Sequence, residues 1–258
     1  MVLGMSRVWR RAPAAASLVP AATAKTIFEH VVVRHGDRQV LAIPALCLDE
    51  RRIGLIGDNG SGKSTLLRLM NGLLLPTSGR VFVAGLDTAK HRKELPAEVG
   101  FVFQNPDHQL IFPTVGEEIA FGLTERGLSA AQARQQALAL LERHGCAEWA
   151  DRNVHELSGG QKQLICILAM LATEPSILLM DEPFASLDLP TRLVLFRRIM
   201  ALPQQIVTAS HDFELVAEFD RVIWLDAGRI RLDGRPAEVL PAYRAHAAIA
   251  GAGDVVTS

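Results

Sequence analysis

Short apolar runs, each followed by a polar or glycine-rich segment, recur along the chain. Three of them, at residues 52–56, 177–180 and 205–209, have the length and composition of buried β-strands. Two further runs, at residues 65–70 and 164–171, are predicted to be helical. Because buried strands of a parallel sheet deliver the residues that follow them to its carboxyl edge, the polar segments after these strands are candidates for a functional site.

Smaller elements are predicted around these runs. Residues 26–56 and 79–85 contain short strands around turns, and residues 112–150 are mostly helical, with one helix opening near Ser129. Residues 221–232 hold two apolar strands on either side of an Asp-Ala-Gly turn, which predicts a hairpin. No apolar run approaches the ~18–20 residues needed to span a bilayer.

Residues 57–65 carry the clearest chemical signal. Their sequence, Gly-Asp-Asn-Gly-Ser-Gly-Lys-Ser-Thr, matches the phosphate-binding pattern G-x-x-x-x-G-K-[ST]. The glycines allow backbone N–H groups to curl around phosphate oxygens, Lys63 supplies a positive charge, and Ser64 can ligate Mg²⁺. A strand is predicted before the loop and a helix after it, so phosphates would lie at a helix N-terminus. A plain glycine-rich turn is the alternative, and these flanking elements disfavour it.

Two later segments help to identify which kind of phosphate-binding site the chain contains. The sequence Ser-Gly-Gly-Gln at 158–161 precedes the helical run at 164–171 and, taken alone, would be only a helix cap. Asp181 and Glu182 follow the apolar strand at 177–180. An isolated Asp-Glu pair is usually solvated, but behind a buried strand, in a chain with a phosphate loop, it predicts a site for metal and water.

The order of these motifs resembles that of the nucleotide-binding subunit of ATP-binding-cassette (ABC) transporters, over roughly residues 26–235. The resemblance implies an α/β fold of the P-loop NTPase class. It would have a mostly parallel core sheet, a small antiparallel β lobe and a helical lobe at approximately 112–175. One ABC ATPase domain would occupy residues 26–245, followed by a tail at 246–258. In this family two cassettes close head to tail around two ATP molecules.

The resemblance also implies a role for each motif residue. ATP would be bound by Gly57, Asp58, Asn59, Gly60, Ser61, Gly62, Lys63, Ser64, Thr65 and Gln104. Ser64, Asp181 and Gln104 would hold Mg²⁺, Glu182 would be the general base that polarises the attacking water, and His211 would contact the γ-phosphate. Ser158, Gly159, Gly160 and Gln161 would act on the ATP held by the opposite subunit, and Asp188 would lie at the dimer interface. Phosphoryl transfer needs such positioning and charge neutralisation more than covalent chemistry.

One position departs from the family pattern. An aromatic residue, often Tyr, usually stacks on adenine roughly twenty residues before the phosphate loop, and here His35 falls at that place. Histidine can stack with less contact area, and a solvated loop histidine is the alternative of equal weight.

Composition limits the number of domains, the partners and the cellular environment that the chain could have. The 258 residues suit one large domain, and a net charge of −1 provides no overall basic field for nucleic acid. Cys47, Cys146 and Cys166 are scattered, which favours a reducing, cytosolic environment. Residues 1–25 superficially resemble a secretory signal, but Pro13 and Pro20 interrupt the apolar stretch. We expect a disordered extension there, or a start at Met5.

The segment from Gln104 to Gly122 narrows the transporter class. It begins Gln-Asn-Pro-Asp-His-Gln and ends Thr-Val-Gly-Glu-Glu-Ile-Ala-Phe-Gly. This pattern is similar to that of the ATPase subunits of energy-coupling-factor importers, which take up vitamins and transition-metal ions. Many members place Arg where this chain has Leu164. With residues 51–59, the chain looks closest to the biotin type, although the cobalt and nickel types share most of the pattern.

The expected function is therefore ATP hydrolysis that powers import of a vitamin, biotin first, with cobalt or nickel import as the alternative. The implied partners are a second ATPase subunit (the same chain or a paralogue), a transmembrane coupling subunit and a substrate-binding membrane protein. The chain would lie at the cytoplasmic face of the membrane as a peripheral protein and bind no nucleic acid. A soluble ABC ATPase is less favoured, since those usually carry two cassettes or a coiled-coil insert, and Glu182 and His211 argue against a regulator without turnover.

Overall fold

Two β-sheets and a group of helices form the structure, a computed structural model that describes residues 24–185 and 187–254. The strands are β1 (Thr26–His35), β2 (Arg38–Leu48), β3 (Arg52–Ile56), β4 (Ser78–Val83), β5 (Leu86–Asp87), β6 (Val99–Val102), β7 (Ile177–Asp181), β8 (Gln205–Ala209), β9 (Arg221–Asp226) and β10 (Arg229–Gly234). The α-helices are α1 (Lys63–Met70), α2 (Leu95–Glu98), α3 (Val115–Glu125), α4 (Ala130–Arg143), α5 (Gly159–Ala172), α6 (Leu189–Met200), α7 (Phe213–Val216) and α8 (Pro236–Asp254). Short 3₁₀ helices lie at Pro106–His108, Ala147–Trp149 and Val154–Glu156.

The larger sheet has the strand order β10-β9-β3-β8-β7-β6. Its strands from β9 to β6 are parallel, and β10 pairs antiparallel with β9 as the predicted hairpin. Every residue of β3, β6, β7 and β8 is buried, as expected for strands covered on both faces. The predicted strands at 52–56, 177–180 and 205–209 are confirmed as β3, β7 and β8.

Register brings the candidate segments to one edge of this sheet. Asp181 pairs with Ala209 across β7 and β8, and Leu55 pairs with Ala209 across β3 and β8. The residues that follow these three parallel strands therefore emerge side by side. They are the phosphate loop after β3, Glu182 after β7 and Ser210 after β8.

The smaller, antiparallel sheet has the order β2-β1-β4-β5 and confirms the predicted β lobe. Its inner face shares a hydrophobic core with β3 and α1, in which Phe28, Leu41 and Leu66 are buried. The tip of the β9–β10 hairpin connects this sheet to the phosphate loop, because Gly228 accepts a hydrogen bond from Ala42 N (2.7 Å) and donates one to Ser61 O (3.0 Å). The sheet therefore forms one wall beside the loop.

A separate hydrophobic core lies under α3, α4 and α5 and confirms the helical lobe. Each of these helices begins with a capping box, in which a side-chain hydroxyl and a side chain three residues later exchange hydrogen bonds with the backbone. The capping residues are Thr114 with Glu117, Ser129 with Gln132, and Ser158 with Gln161. Because both partners lie in the local sequence, the starts of these helices are fixed locally.

The last helix, α8, runs through residue 254 and so crosses the boundary at 245 between the predicted domain and its tail. It packs on β9 through a third core that contains Trp224, Val239 and Tyr243. The predicted extension at 1–25 lies outside the described residues, apart from residues 24 and 25. Among the described helices, none combines the length and apolar character required to cross a membrane.

Candidate functional site

The phosphate loop at residues 57–62 joins the end of β3 to the start of α1. Gly57 has φ +141, and a Cβ at this position would lie 2.1 Å from the carbonyl oxygen of Leu225 on the neighbouring strand. Gly62, with φ +107, is the N-cap of α1. Any L-residue would be strained at both positions, so the two motif glycines are required by the path of the backbone.

Lys63 is a buried cation in the first turn of α1, with 7% of its surface exposed. Its Nζ donates to the carbonyl oxygens of Gly57 (2.7 Å) and Asp58 (3.1 Å). Burial lowers the pKa of Lys63 below its usual 10.5, and the carboxylates of Glu182, Asp181 and Asp58 oppose that shift. The surrounding negative charge therefore favours the protonated form that a polyphosphate site needs.

Ser64 and Asp181 form a pair of oxygen ligands beside this lysine. The Ser64 hydroxyl donates to Asp181 Oδ1 at 3.0 Å, and Asp181 is buried at the carboxyl end of β7. Oxygen atoms of this kind are what Mg²⁺ prefers. In the described part of the chain, no cluster of three or more His, Cys, Asp and Glu side chains could hold a metal alone. An ion here would need additional oxygens, such as those of a nucleotide.

Glu182 has a positive φ, which is uncommon for a residue other than glycine. Its φ is +50, and its N–H donates to Ala209 O on β8 at 3.0 Å. Its carboxylate meets His211 in two ways: the backbone N–H of His211 donates to Oε2 (3.3 Å), and His211 Nε2 lies 3.1 Å from Oε1. A carboxylate and an imidazole are thus placed together next to the phosphate loop, an arrangement suited to orienting and deprotonating water.

These groups line one cleft of about 1010 Å³. The predicted residues that line it are His35, Asn59, Gly60, Ser61, Gly62, Lys63, Ser64, Thr65, Gln104, Asp181, Glu182 and His211. Gly57 and Asp58 do not line the cleft but hold Lys63 through their carbonyl groups. His35 reaches the cleft as an exposed residue at the end of β1, so its stacking on adenine stays a prediction.

The segment 158–161 does not line this cleft. Ser158 and Gly159 are exposed at the N-terminus of α5, and a Cβ on Gly159 would have no heavy atom within 4 Å. Asp188 is likewise exposed and caps α6 by accepting from Thr191 N at 2.8 Å, a bond that lowers the pKa of its carboxyl. Both segments therefore present open surface rather than completing the site of their own chain.

Gln104 reaches the cleft from a loop that is tied to α5. The N–H of the preceding residue, Phe103, donates to Gln109 Oε1 at 3.1 Å, and its carbonyl accepts from Gln163 Nε2 at 3.5 Å. Lys162 Nζ also lies 2.6 Å from Asp107 Oδ1. The helix that carries the segment 158–161 is thereby connected to the loop that carries Gln104.

Several side chains of the cleft were missed by sequence reasoning. Arg192 on α6 pairs with Asp212 at 2.7 Å, and Arg38, Phe213 and Arg244 also line the cleft. Asp212 follows His211 directly and could have been found from that position. Arg244 lies on α8, far from every motif, and no local pattern indicates it.

Comparison with known proteins identifies the family of the chain. The family model described as "ABC transporter" matches residues 46–185. A relative named "Biotin transport ATP-binding protein BioM" from Rhodobacter capsulatus is 50% identical over 214 residues, covering 83% of this chain and 92% of that protein. A protein of the same name from Rhizobium etli is 46% identical over 221 residues, covering 86% of this chain and 98% of that protein.

Solved structures show the same fold. The structure of cbiO1 from Clostridium perfringens, part of the ABC transporter complex cbiONQ, has a TM-score of 0.75 and 31% identity, covering 84% of this chain and 90% of that one. The dimeric structure of a post-hydrolysis state of the ATP-binding cassette MJ0796, bound to ADP and Pi, is also similar. It has a TM-score of 0.70 and 26% identity, covering 82% of this chain and 98% of that one. The family model matches more than half of the residues of this chain. The chain therefore belongs to the ABC transporter family, in which it is an ATP-binding, ATP-hydrolysing cassette.

Proposed function

We propose that this ABC ATPase powers uptake of a vitamin, biotin first, through separate membrane subunits of the energy-coupling-factor type. The observation that carries the proposal is the 50% identity to a protein named for biotin transport, over 92% of that protein's length. A 42% identical relative is named as an energy-coupling-factor transporter ATP-binding protein. Cobalt or nickel import is the second candidate, because the motif from Gln104 to Gly122 is shared with those importers.

The phosphate loop and Lys63 would bind the triphosphate of ATP. The loop offers backbone N–H groups at the start of α1, and Lys63 exchanges its two carbonyl partners for phosphate oxygens. Ser64, Asp181 and Gln104 would hold Mg²⁺, which when bound neutralises developing charge on the phosphates. The Ser64–Asp181 contact at 3.0 Å supports this fit, since it places two oxygen atoms together in residues that line the cleft.

Glu182 would act as the general base toward the attacking water. Its position one residue beyond β7 places the carboxylate at the cleft, and the His211 backbone N–H restrains it. The His211 side chain is 46% exposed, lines the cleft, and would contact the γ-phosphate. The carboxylate accepts the proton of the water while Lys63 holds the transferred group in line.

Two cassettes would complete each ATP site together. The segment 158–161, whose first two residues are exposed, does not line the cleft of its own chain, as expected for a group that serves the opposite subunit. Asp188, exposed at the start of α6, would contact that subunit. Two solved structures of the cassette MJ0796 are dimeric, which supports pairing, and the second subunit here would be the same chain or a paralogue.

An apolar loop on the helical lobe would contact the transmembrane coupling subunit. Ile111 is 76% exposed, and the rings of Phe112 and Phe121 lie 4.9 Å apart. The buried Glu118 carboxylate accepts the N–H groups of both Ile111 and Phe112 at 2.8 Å, so the loop keeps this exposed shape. An exposed apolar patch that is held in one shape suits a protein partner. The chain would then lie at the cytoplasmic face of the membrane, while a separate membrane protein selects the substrate.

Replacing Glu182 with Gln tests the catalytic proposal. We expect ATP hydrolysis to fall by roughly 100- to 10,000-fold, the usual range for loss of a general base, with ATP binding retained. Glu218→Gln is a matched control, because Glu218 is exposed and does not line the cleft. Hydrolysis by Glu182→Gln at a rate close to that of the control would contradict the assignment.

Mixing two inactive variants tests the shared sites. Lys63→Ala removes a phosphate contact, and Ser158→Arg blocks the segment that serves the opposite subunit. A mixed dimer would hold one site with both lesions and one intact site, so we expect measurable recovery of ATPase activity. Lys63→Ala mixed with the double variant is the control, since no intact site can form. If ATPase activity recovers no more than in this control, the result would count against ATP sites that are shared between two subunits.

A charge in the exposed loop tests the membrane contact. Ile111→Asp should reduce copurification with membrane subunits without lowering the melting temperature, because its side chain is 76% exposed. Ile249→Asp on α8 is the matched control, at 74% exposure in another part of the molecule. Equal retention of both variants in the complex would show that the loop is not the docking surface.

Uptake measurements test the transported substrate. In cells that lack this subunit, we expect labelled biotin to stop accumulating and labelled cobalt to accumulate normally, with uptake restored by the wild-type chain and not by Glu182→Gln. The opposite pattern would establish the second candidate. Unchanged accumulation of both would reject an importer of either substrate.

A further inference from the structure

The side chain of Asp58, the second residue of the phosphate loop, contacts the last helix of the structure. The hydroxyl of Tyr243 on α8 donates to Asp58 Oδ1 at 2.7 Å. The two residues are 185 positions apart in sequence. The proposed function gives no role to either side chain.

The backbone and the side chain of Asp58 make contacts with different parts of the structure. Its carbonyl accepts from Ser61 N at 3.1 Å and from Lys63 Nζ at 3.1 Å, so the backbone belongs to the cradle of the loop. Its carboxylate is a negative charge directly beside a site for polyphosphate. Residues 59–65 line the cleft, whereas Asp58 does not, and the carboxylate is turned toward α8 instead.

Tyr243 is held firmly enough to fix that orientation. It is 6% exposed, and its ring packs edge-on against Trp224 and tilted against Phe213, with centroids 5.2 Å away in each case. Burial, followed by the bond to Asp58, raises the pKa of Tyr243 to about 12. The phenol therefore remains a protonated donor at neutral pH.

We propose that Tyr243 is a positioning residue for the phosphate loop: its hydroxyl holds the Asp58 carboxylate against α8 and away from the triphosphate. The proposal rests on the ATP site described above. A hydrogen bond to a charged carboxylate is strong enough to bias its rotamer. Without it, the side chain would be free to turn toward the cleft, where its charge would repel phosphate oxygens.

The test is a double-mutant cycle of Tyr243→Phe and Asp58→Asn, read out by the KM for ATP and by kcat. Tyr243→Phe keeps the packed ring and should raise KM about tenfold, the scale of one lost charge-assisted hydrogen bond, with kcat little changed. In the Asp58→Asn background no charge remains to be misplaced. There, adding Tyr243→Phe should leave the KM for ATP within about twofold of the KM of Asp58→Asn alone. Raising the salt concentration should shrink the effect of the single variant, because it is electrostatic.

Val239→Ala is the control for simple packing. Val239 is fully buried in the same core on the same helix, so its truncation should lower the melting temperature without moving KM. An unchanged KM in Tyr243→Phe, or an equal rise in the Asp58→Asn background, would overturn the proposal. Wild-type hydrolysis, measured in the same series, separates failure of this proposal from failure of the ATP site itself.

Discussion

A buried cation among carboxylates is the constraint on which the site depends. Lys63 is almost inaccessible, and burial alone disfavours its charge. Two carbonyl groups of the phosphate loop bond it, and Asp181 and Glu182 reach it because β3 and β7 both neighbour β8 and end at the same edge. The two carbonyl groups and the carboxylates of Glu182 and Asp181 offset the cost of burying this one charge.

Much of this edge could be predicted because its signals are local. The phosphate loop, strands β3, β7 and β8, the β9–β10 hairpin and the helix caps each depend on residues a few positions apart. Pairing of parallel strands then brings separate motifs together without further sequence information. For the same reason, the α/β class and its two lobes were predictable in outline.

What could not be predicted comes from contacts across long sequence separations. The pair Arg192–Asp212 joins α6 to the segment after His211, and Tyr243 reaches Asp58 from α8. Neither Arg192 nor Tyr243 lies in a recognisable pattern, since an amphipathic helix surface accepts either residue for many reasons. His35 is an intermediate case: its place in the cleft follows from β1, but its contact with a base stays a prediction.

The central strand also determines when the protein can fold during translation. Both neighbours of β3 in the sheet, β8 and β9, are made more than a hundred residues after it, and the partner of the Asp58 side chain follows after 185 residues. At ribosomal rates of about 5–20 residues per second, that delay is roughly ten to forty seconds. During this interval the apolar edges of β3 have no strand to pair with. The nascent chain therefore carries an unpaired buried strand, of the kind that can pair with other chains, until residues 205–226 have been synthesised.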